Sequence, residues 1–382
     1  MKKDNLKAIV CQKIDELKPI LFQLADYLHA HPELSGQEIQ AVEYLKQLLI
    51  KFGFNFKPII EDKFSTAFLA TKGTDKDKIK KLAFLTEYDA LPDIGHGCGH
   101  NLISMMSLGA GISFNQVTDD ICKTYIFGCP AEETIGAKLD ISDRGFLDDV
   151  DCALIIHPDD KTTIGGTSYA THPLEFTFIG KEAHVADPDY HGINALDALV
   201  DFYAKFKELK HSFAPNSLVG MIITEGGTAP NIIPAKATMR ATIRSTDTAY
   251  LEEIMLPQIK SLAKEIAKKY HAKVKMHHYE PLYKDLKNDL KLNDYYRANF
   301  AKLGEAYKIL PEDYADGSTD VGNVSHVTRT CQPCIGISDK NKELFVHTVE
   351  FAIKSNSIYA KEKAIIGAKA MAMTAIDVLL ED

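Results

Sequence analysis

The sequence has no uninterrupted apolar run near the roughly 20 residues that a membrane-spanning helix needs. Its longest mostly apolar stretch, residues 102–114, covers about half a bilayer and is broken by Ser and Gly. Near the amino terminus, Asp15, Glu16 and Lys18 interrupt any signal-like apolar segment. A dense basic patch is also missing. The nearest candidate, the run 76–81, is interrupted by Asp77 and Ile79 and reads as a solvated turn. Lys and Arg number 44 against 53 Asp and Glu, a net charge of −9, which argues against a nucleic-acid binder. There is no internal repeat and no low-complexity segment. The 7 cysteines have no export signal to accompany them, so free thiols in a reducing compartment are expected. These absences describe a soluble, acidic, cytoplasmic protein and leave its chemistry open.

With 45% apolar and 25% charged residues, the 382-residue chain can build ordinary cores without disulfide staples, and its length suggests two or more domains. Leu17, Ile20, Leu21, Leu24 and Leu28 recur at helical spacing, which predicts a first helix ending near His29, with Pro19 in its first turn or kinking it. Ser35 and Glu38 form a capping-box pattern ahead of Val42, Leu45 and Leu49. Short apolar runs at 67–70, 82–85, 125–127 and 153–156 alternate with helical stretches, the pattern of an α/β sheet. From His172 the order becomes strand, helix, strand, strand, helix, strand, a split β-α-β-β-α-β ferredoxin-like set. The expectation is an α/β catalytic domain, a mixed sheet with helices on both faces, formed by residues 1–170 and 284–382. An α+β ferredoxin-like lid or dimerisation domain, residues 171–283, is inserted into it.

The densest chemical signal is Asp89-Ala90-Leu91-Pro92-Asp93-Ile94-Gly95-His96-Gly97-Cys98-Gly99-His100-Asn101, directly after a buried-strand pattern. Open α/β sheets place their sites at such strand ends. If the segment is extended, His96, Cys98 and His100 share one face, and imidazole and thiolate are the donors that zinc or a similar ion takes. Pro130-Ala131-Glu132-Glu133 follows another strand pattern. Adjacent carboxylates that point apart can divide the work, one binding a cation and the other taking a proton from water. His157 stands at a third strand end, and His347 lies late in the chain; both are candidate completing ligands. Cys331-Gln332-Pro333-Cys334 has the spacing of a redox dithiol but leads into an apolar strand, and it reads as two structural thiols. Cys11, Cys122 and Cys152 read as core.

These motifs, in this order, resemble the dinuclear-metal amidohydrolase and peptidase family that includes aminoacylase and carboxypeptidase G. The resemblance runs through His31-Pro32-Glu33-Leu34-Ser35, Tyr88-Asp89-Ala90-Leu91-Pro92, the 98–100 loop, Pro130-Ala131-Glu132-Glu133 and Gly180-Lys181-Glu182-Ala183-His184. It continues through Gly226-Gly227-Thr228-Ala229-Pro230-Asn231-Ile232-Ile233-Pro234 to Arg244. Glu87-Tyr88-Asp89 and Gly317-Ser318-Thr319-Asp320-Val321-Gly322-Asn323 are most similar to the aminobenzoyl-glutamate hydrolase and dipeptidase branch.

The resemblance implies a metal-dependent amidohydrolase of small N-acyl amino acids or dipeptides, working through a metal-bridged hydroxide. It implies two divalent ions, Zn²⁺, Mn²⁺ or Co²⁺, with Cys98 bridging. Cys98, Glu133 and His347 hold one; Cys98, His100 and His157 hold the other. Glu132 is the general base, and His184 serves the site of a partner subunit in a homodimer. Asn231, Arg244, Gly317, Ser318 and Thr319 bind the substrate carboxylate. The chain departs from the pattern at Asn101, where the auxin-conjugate branch has Asp, a carboxylate partner for a ligand histidine. It departs again after Phe345, near the last ligand. Two other readings are a metal-binding or regulatory protein of the same fold that has lost catalysis, and a thiol redox protein using Cys331 and Cys334.

Overall fold

The computed structural model describes residues 3–76, 78–186, 191–339 and 342–381. Asp77, within the run read as a solvated turn, lies outside them. The chain divides into two compact units. The first comprises Met1–Thr167, Leu286–Tyr314 and Asp320–Asp382; the second comprises Ser168–Asp285 and Ala315–Thr319.

In the first unit, helix α1 (Lys3–Ala30) buries Leu6, Val10, Ile14, Leu17, Leu21, Leu24 and Leu28, one stripe at helical spacing. Pro19 lies in the helix interior rather than in its first turn. After α2 (Ile39–Lys51) come strands β1 (Asn55–Pro58), β2 (Phe68–Gly73) and β3 (Lys80–Thr86), then α3 (His100–Thr118), β4 (Cys122–Gly128), α4 (Ala137–Asp143) and β5 (Cys152–Leu154). The sheet order is β1-β2-β4-β3-β5. β1 pairs with β2 and β2 with β4 antiparallel, whereas β3 runs parallel to both β4 and β5. This is the mixed sheet that the alternating pattern predicts.

Helix α3 is buried on nearly every side, which accounts for its long apolar stretch. At Gly109 a Cβ would come within 2.8 Å of Leu21 Cδ1, so glycine is what lets α1 lie this close. A second sheet of order β14-β7-β15-β6 is formed by β6 (His157–Asp159), β7 (Thr163–Thr167), β14 (Lys308–Ala315) and β15 (Cys334–Gly336). Helices α8 (Leu290–Lys302), α9 (Val321–Ser325), α10 (Val349–Ser355) and α11 (Ile358–Leu379) complete the unit.

The second unit has its own core. Strands β8 (Ala170–Ile179), β10 (Ser217–Glu225), β12 (Lys236–Ser245) and β13 (Lys273–His278) form an antiparallel sheet of order β10-β12-β8-β13, the ferredoxin-like arrangement. Asn194 caps α5 (Ala195–Leu209) by accepting from the backbone of Leu196 and Asp197. A helix begins as α6 (Thr248–Tyr250), widens through 251–255 and continues as α7 (Leu256–Lys269). Phe176, Phe178, Phe202 and Phe206 are fully buried between sheet and helix. Each such ring contributes about 1.5–3 kcal/mol. Two short strands, β9 (Ala183–His184) and β11 (Ile232–Ile233), pair beside this sheet. No helix among the described residues is long and apolar enough to cross a membrane.

Candidate metal centre

Because β3, β4 and β5 are parallel, their carboxyl ends share one edge, and the chain leaves each of them carrying a candidate residue. Beyond β3, Gly99 turns the backbone left-handed (φ +77°) and opens α3, so His100 is the first helical residue. His100 Nδ1 donates to Asp89, at 3.0 Å to the backbone oxygen and 2.9 Å to Oδ1. Nε2 is left buried without a hydrogen-bond partner. Burial alone would lower this ring's basicity, but the Asp89 carboxylate outweighs it and raises it well above the usual imidazole value. The position favours positive charge. Burial also works against the Asp89 carboxylate, yet His100, the Glu133 backbone and Ser35 hold it at about 2.

Cys98 Sγ lies 3.4 Å from His157 Nε2. Burial pushes the thiol strongly up, so a thiolate here needs a cation beside it. His157 donates Nδ1–H to the Pro158 oxygen at 2.7 Å, and burial lowers it to about 4, which keeps the ring in its neutral, ligating form.

After β4 the chain turns instead of running extended, so Glu132 and Glu133 do not point apart as adjacent strand residues would. Their carboxylates lie 4.0 and 3.8 Å from His100 Nε2. Ala131, at φ +61°, donates its N–H to Glu38 Oε1 (2.9 Å), and the Glu133 N–H donates to Asp89 Oδ2 (3.1 Å). Burial, with the Glu87 and Asp320 carboxylates, raises Glu132 well above the usual carboxyl range. Beneath it, buried Lys138 reaches Glu87 at 2.6 Å and Asp320 at 2.5 Å. His347, also left-handed (φ +62°), is fixed by its N–H to the Gly97 oxygen (2.8 Å) and brings Nε2 to 3.4 Å from Glu133 Oε2.

Three donor groups result, each with ligand atoms within 4.8 Å of one another: Cys98, His100 and His157; Cys98, Glu133 and His347; His100, Glu132 and Glu133. The first two share the thiol. Thiolate, imidazole and carboxylate are the donors of Zn²⁺, Mn²⁺ or Co²⁺, and unpartnered His100 Nε2 and Glu133 Oε1 are buried polar atoms that such an ion would satisfy. The residues fit a metal.

A model of the peptidase dimerisation domain matches residues 173–271. The chain is 29% identical to the Xaa-Arg dipeptidase of Mus musculus over 396 residues, covering 98% of this chain and 89% of that one. It is 30% identical to the Homo sapiens Xaa-Arg dipeptidase over 310 residues, covering 78% and 70%. A dinuclear metal binding peptidase of the M20 family from Bacillus subtilis shares the fold, with a TM-score of 0.72 at 20% identity over 96% of this chain and 99% of that one. The chain belongs to the M20 peptidase family. It is a metal-dependent hydrolase of amide or peptide bonds, with the dimerisation domain inserted in the catalytic one.

In this M20 protein, the other residues singled out from the sequence lie in the second unit. Asn231 Nδ2 is 3.3 Å from His184 Nε2, and both residues are exposed beside the β9–β11 pair. Arg244 sits opposite Thr171 in the β8–β12 ladder, and Thr171 Oγ1 hydrogen-bonds Ser318 Oγ at 2.7 Å. The Tyr169 N–H donates to the Gly317 oxygen at 2.9 Å. The 317–319 segment, which includes Thr319, thus lies beside Thr171, the ladder partner of Arg244.

Several local readings give way. His96 does not converge with Cys98 and His100. The segment is a turn leading into a helix, and His96 Nε2 instead meets the Leu28 oxygen at 3.0 Å, with burial lowering the ring to about 3. Asn101 leaves no gap in the site, because Asp89 supplies the carboxylate that orients His100. Cys331 is buried, and burial pushes its thiol well up, as suits a structural residue. Nor do Ser35 and Glu38 form a capping box. Glu33 accepts from the Gln40 and Ala41 N–H groups at the start of α2, and Ser35 donates to Asp89.

Glu38 accepts from three donors, Gly36 N–H, Ala131 N–H and Thr66 Oγ1, at 2.7, 2.9 and 2.7 Å. Glu38→Ala strips the acceptor from all of them in a buried place. The expected loss is about 3–5 kcal/mol, read as a lowered urea midpoint; an unchanged midpoint would show that Glu38 does not hold this turn. Glu87, Asp89, Lys138 and Asp320 were not assigned roles from the sequence, and Glu38 was assigned only the capping role that it does not perform. Only Glu87-Tyr88-Asp89 and Asp320, as parts of branch motifs, carried any signal.

Proposed function

We propose that this chain is a dinuclear-metal dipeptidase or N-acyl amino acid hydrolase acting on small substrates with a free carboxylate. The observation that carries the reading is the pair of donor groups sharing Cys98, with Glu132 at their edge. Cys98, Glu133 and His347 would hold one divalent ion, and Cys98, His100 and His157 the other. When bound, such ions acidify water and polarise an amide carbonyl.

Glu132 accepts the proton of the attacking water and later delivers it to the leaving amine. Asp89 holds the His100 ring and the Glu133 backbone in place throughout. Asn231, Arg244, Gly317, Ser318 and Thr319 bind the substrate carboxylate, Arg244 supplying the planar cation that suits it. His184 donates to the developing oxyanion of the partner subunit's site in a homodimer.

The test is a hydrolysis screen of Zn²⁺-, Mn²⁺- and Co²⁺-loaded protein against dipeptides ending in Arg or Lys, p-aminobenzoyl-glutamate and N-acyl amino acids. Amine release from one of these classes, abolished by a chelator, is expected. Full metal uptake without cleavage of any class would instead indicate a metal-binding protein that has lost catalysis.

A further inference from the structure

We propose that Glu87 is a further cation-facing carboxylate of the metal centre, held in that role by Lys138, and that it contributes to binding the ion on the His100 and His157 side. This rests on the metal-centre reading above.

Lys138 carries one positive charge and is fully buried, while the two carboxylates on it, Glu87 and Asp320, are buried as well. Asp320 is fully engaged by Lys138, with Oδ1 on the ammonium and Oδ2 accepting the Lys138 backbone N–H at 3.2 Å. Glu87 is not. Neither of its oxygens has a hydrogen-bond partner: Oε1 forms an ion pair with the ammonium at 2.6 Å, and Oε2 has no such pair there and lies 3.4 Å from His100 Nε2, which is equally buried and unpartnered.

One ammonium cannot neutralise two buried carboxylates, and an uncompensated charge out of water is costly. A positive charge on His100 would already be matched by Asp89 at 2.9 Å. What the geometry leaves open is the Glu87 oxygen that faces the nitrogen of the Cys98, His100 and His157 group. A pair serving stability alone needs no third charge and no bare oxygen aimed at a ligand. A divalent cation between these atoms supplies the missing charge, and carboxylate oxygen is a normal ligand for it.

The experiment uses full-length protein stripped by a chelator, then titrated with Zn²⁺ by equilibrium dialysis with elemental analysis. The parent should take up two ions per chain. Glu87→Gln leaves Lys138 and Asp320 as a one-to-one pair, so the melting curve should stay cooperative while one of the two sites weakens about 10- to 100-fold. Asp320→Asn removes the same charge but leaves Glu87 Oε2 in place, so its effect on uptake should be much smaller. If Glu87→Gln fails to fold, Glu87→Asp keeps the charge and withdraws the oxygen by one carbon, and it should show the same one-site loss. Parental affinities in whichever Glu87 variant folds, or equal losses from Glu87→Gln and Asp320→Asn, would overturn the role of Glu87. No uptake by the parent, or uptake unaffected by Cys98→Ser, would sink the metal-centre reading itself and this inference with it.

Discussion

Glu132→Gln, loaded with its metal, is expected to turn over substrate about 10²- to 10⁴-fold more slowly than the parent, with KM little changed. The amide keeps the size and polarity of the carboxylate but cannot take a proton from water. The loss should be severe because Glu132, 4.0 Å from His100 Nε2, is the carboxylate left over once the two groups sharing Cys98 have their ligands. Metal content should stay at the parental level, because each of the two groups sharing Cys98 is complete without Glu132. Steady-state kinetics beside elemental analysis decide the matter: near-normal kcat with metal retained removes Glu132 from the reaction.

His184→Ala is expected to cost about 10²–10³ in kcat, the usual loss when one oxyanion donor is removed. Metal content and dimer should both survive, since His184 is exposed and contributes to neither core. A general weakening of the protein could imitate that loss, so the sharper test is complementation. His184→Ala and Glu132→Gln are each inactive in different units of the chain. In a dimer of one with the other, one site would combine an intact base with an intact partner histidine, and the second site would have neither. Each mixed dimer should then recover about half of the parental activity. Subunit exchange without any recovery, or a fully active monomer, would defeat the shared-site role.

Much of the donor cluster was legible because its residues sit at strand ends. Cys98 with His100, Glu132 with Glu133, and His157 each follow an apolar strand pattern, and parallel pairing brings those ends to one edge. What stayed hidden is the layer beneath. Glu38 meets Ala131 across 93 residues, and Lys138 meets Asp320 across 182. No local spacing announces such contacts. The Ser35/Glu38 pattern misled for the same reason: both side chains are claimed by distant partners before they can cap their own helix. His96 misled through periodicity, since alternation of side chains holds only in extended chain and Gly99 ends it. The ferredoxin-like set was readable throughout because each of its elements has its own apolar repeat and the fold is largely contiguous in sequence.

That contiguity sets an order of events on the ribosome. The inserted unit closes its core from residues 168–285, apart from the short return at 315–319. The catalytic unit must wait. Helix α3 packs against α1, which is made before it, and against α11, which is made after the whole insert. During synthesis the amino-terminal third emerges with one flank of α3 still uncovered, while the insert can close most of its core behind it. A nascent chain halted before residue 358 should therefore display a protease-resistant insert beside a protease-sensitive amino-terminal segment. That waiting segment, rather than the insert, is where a chaperone is expected to bind the nascent chain.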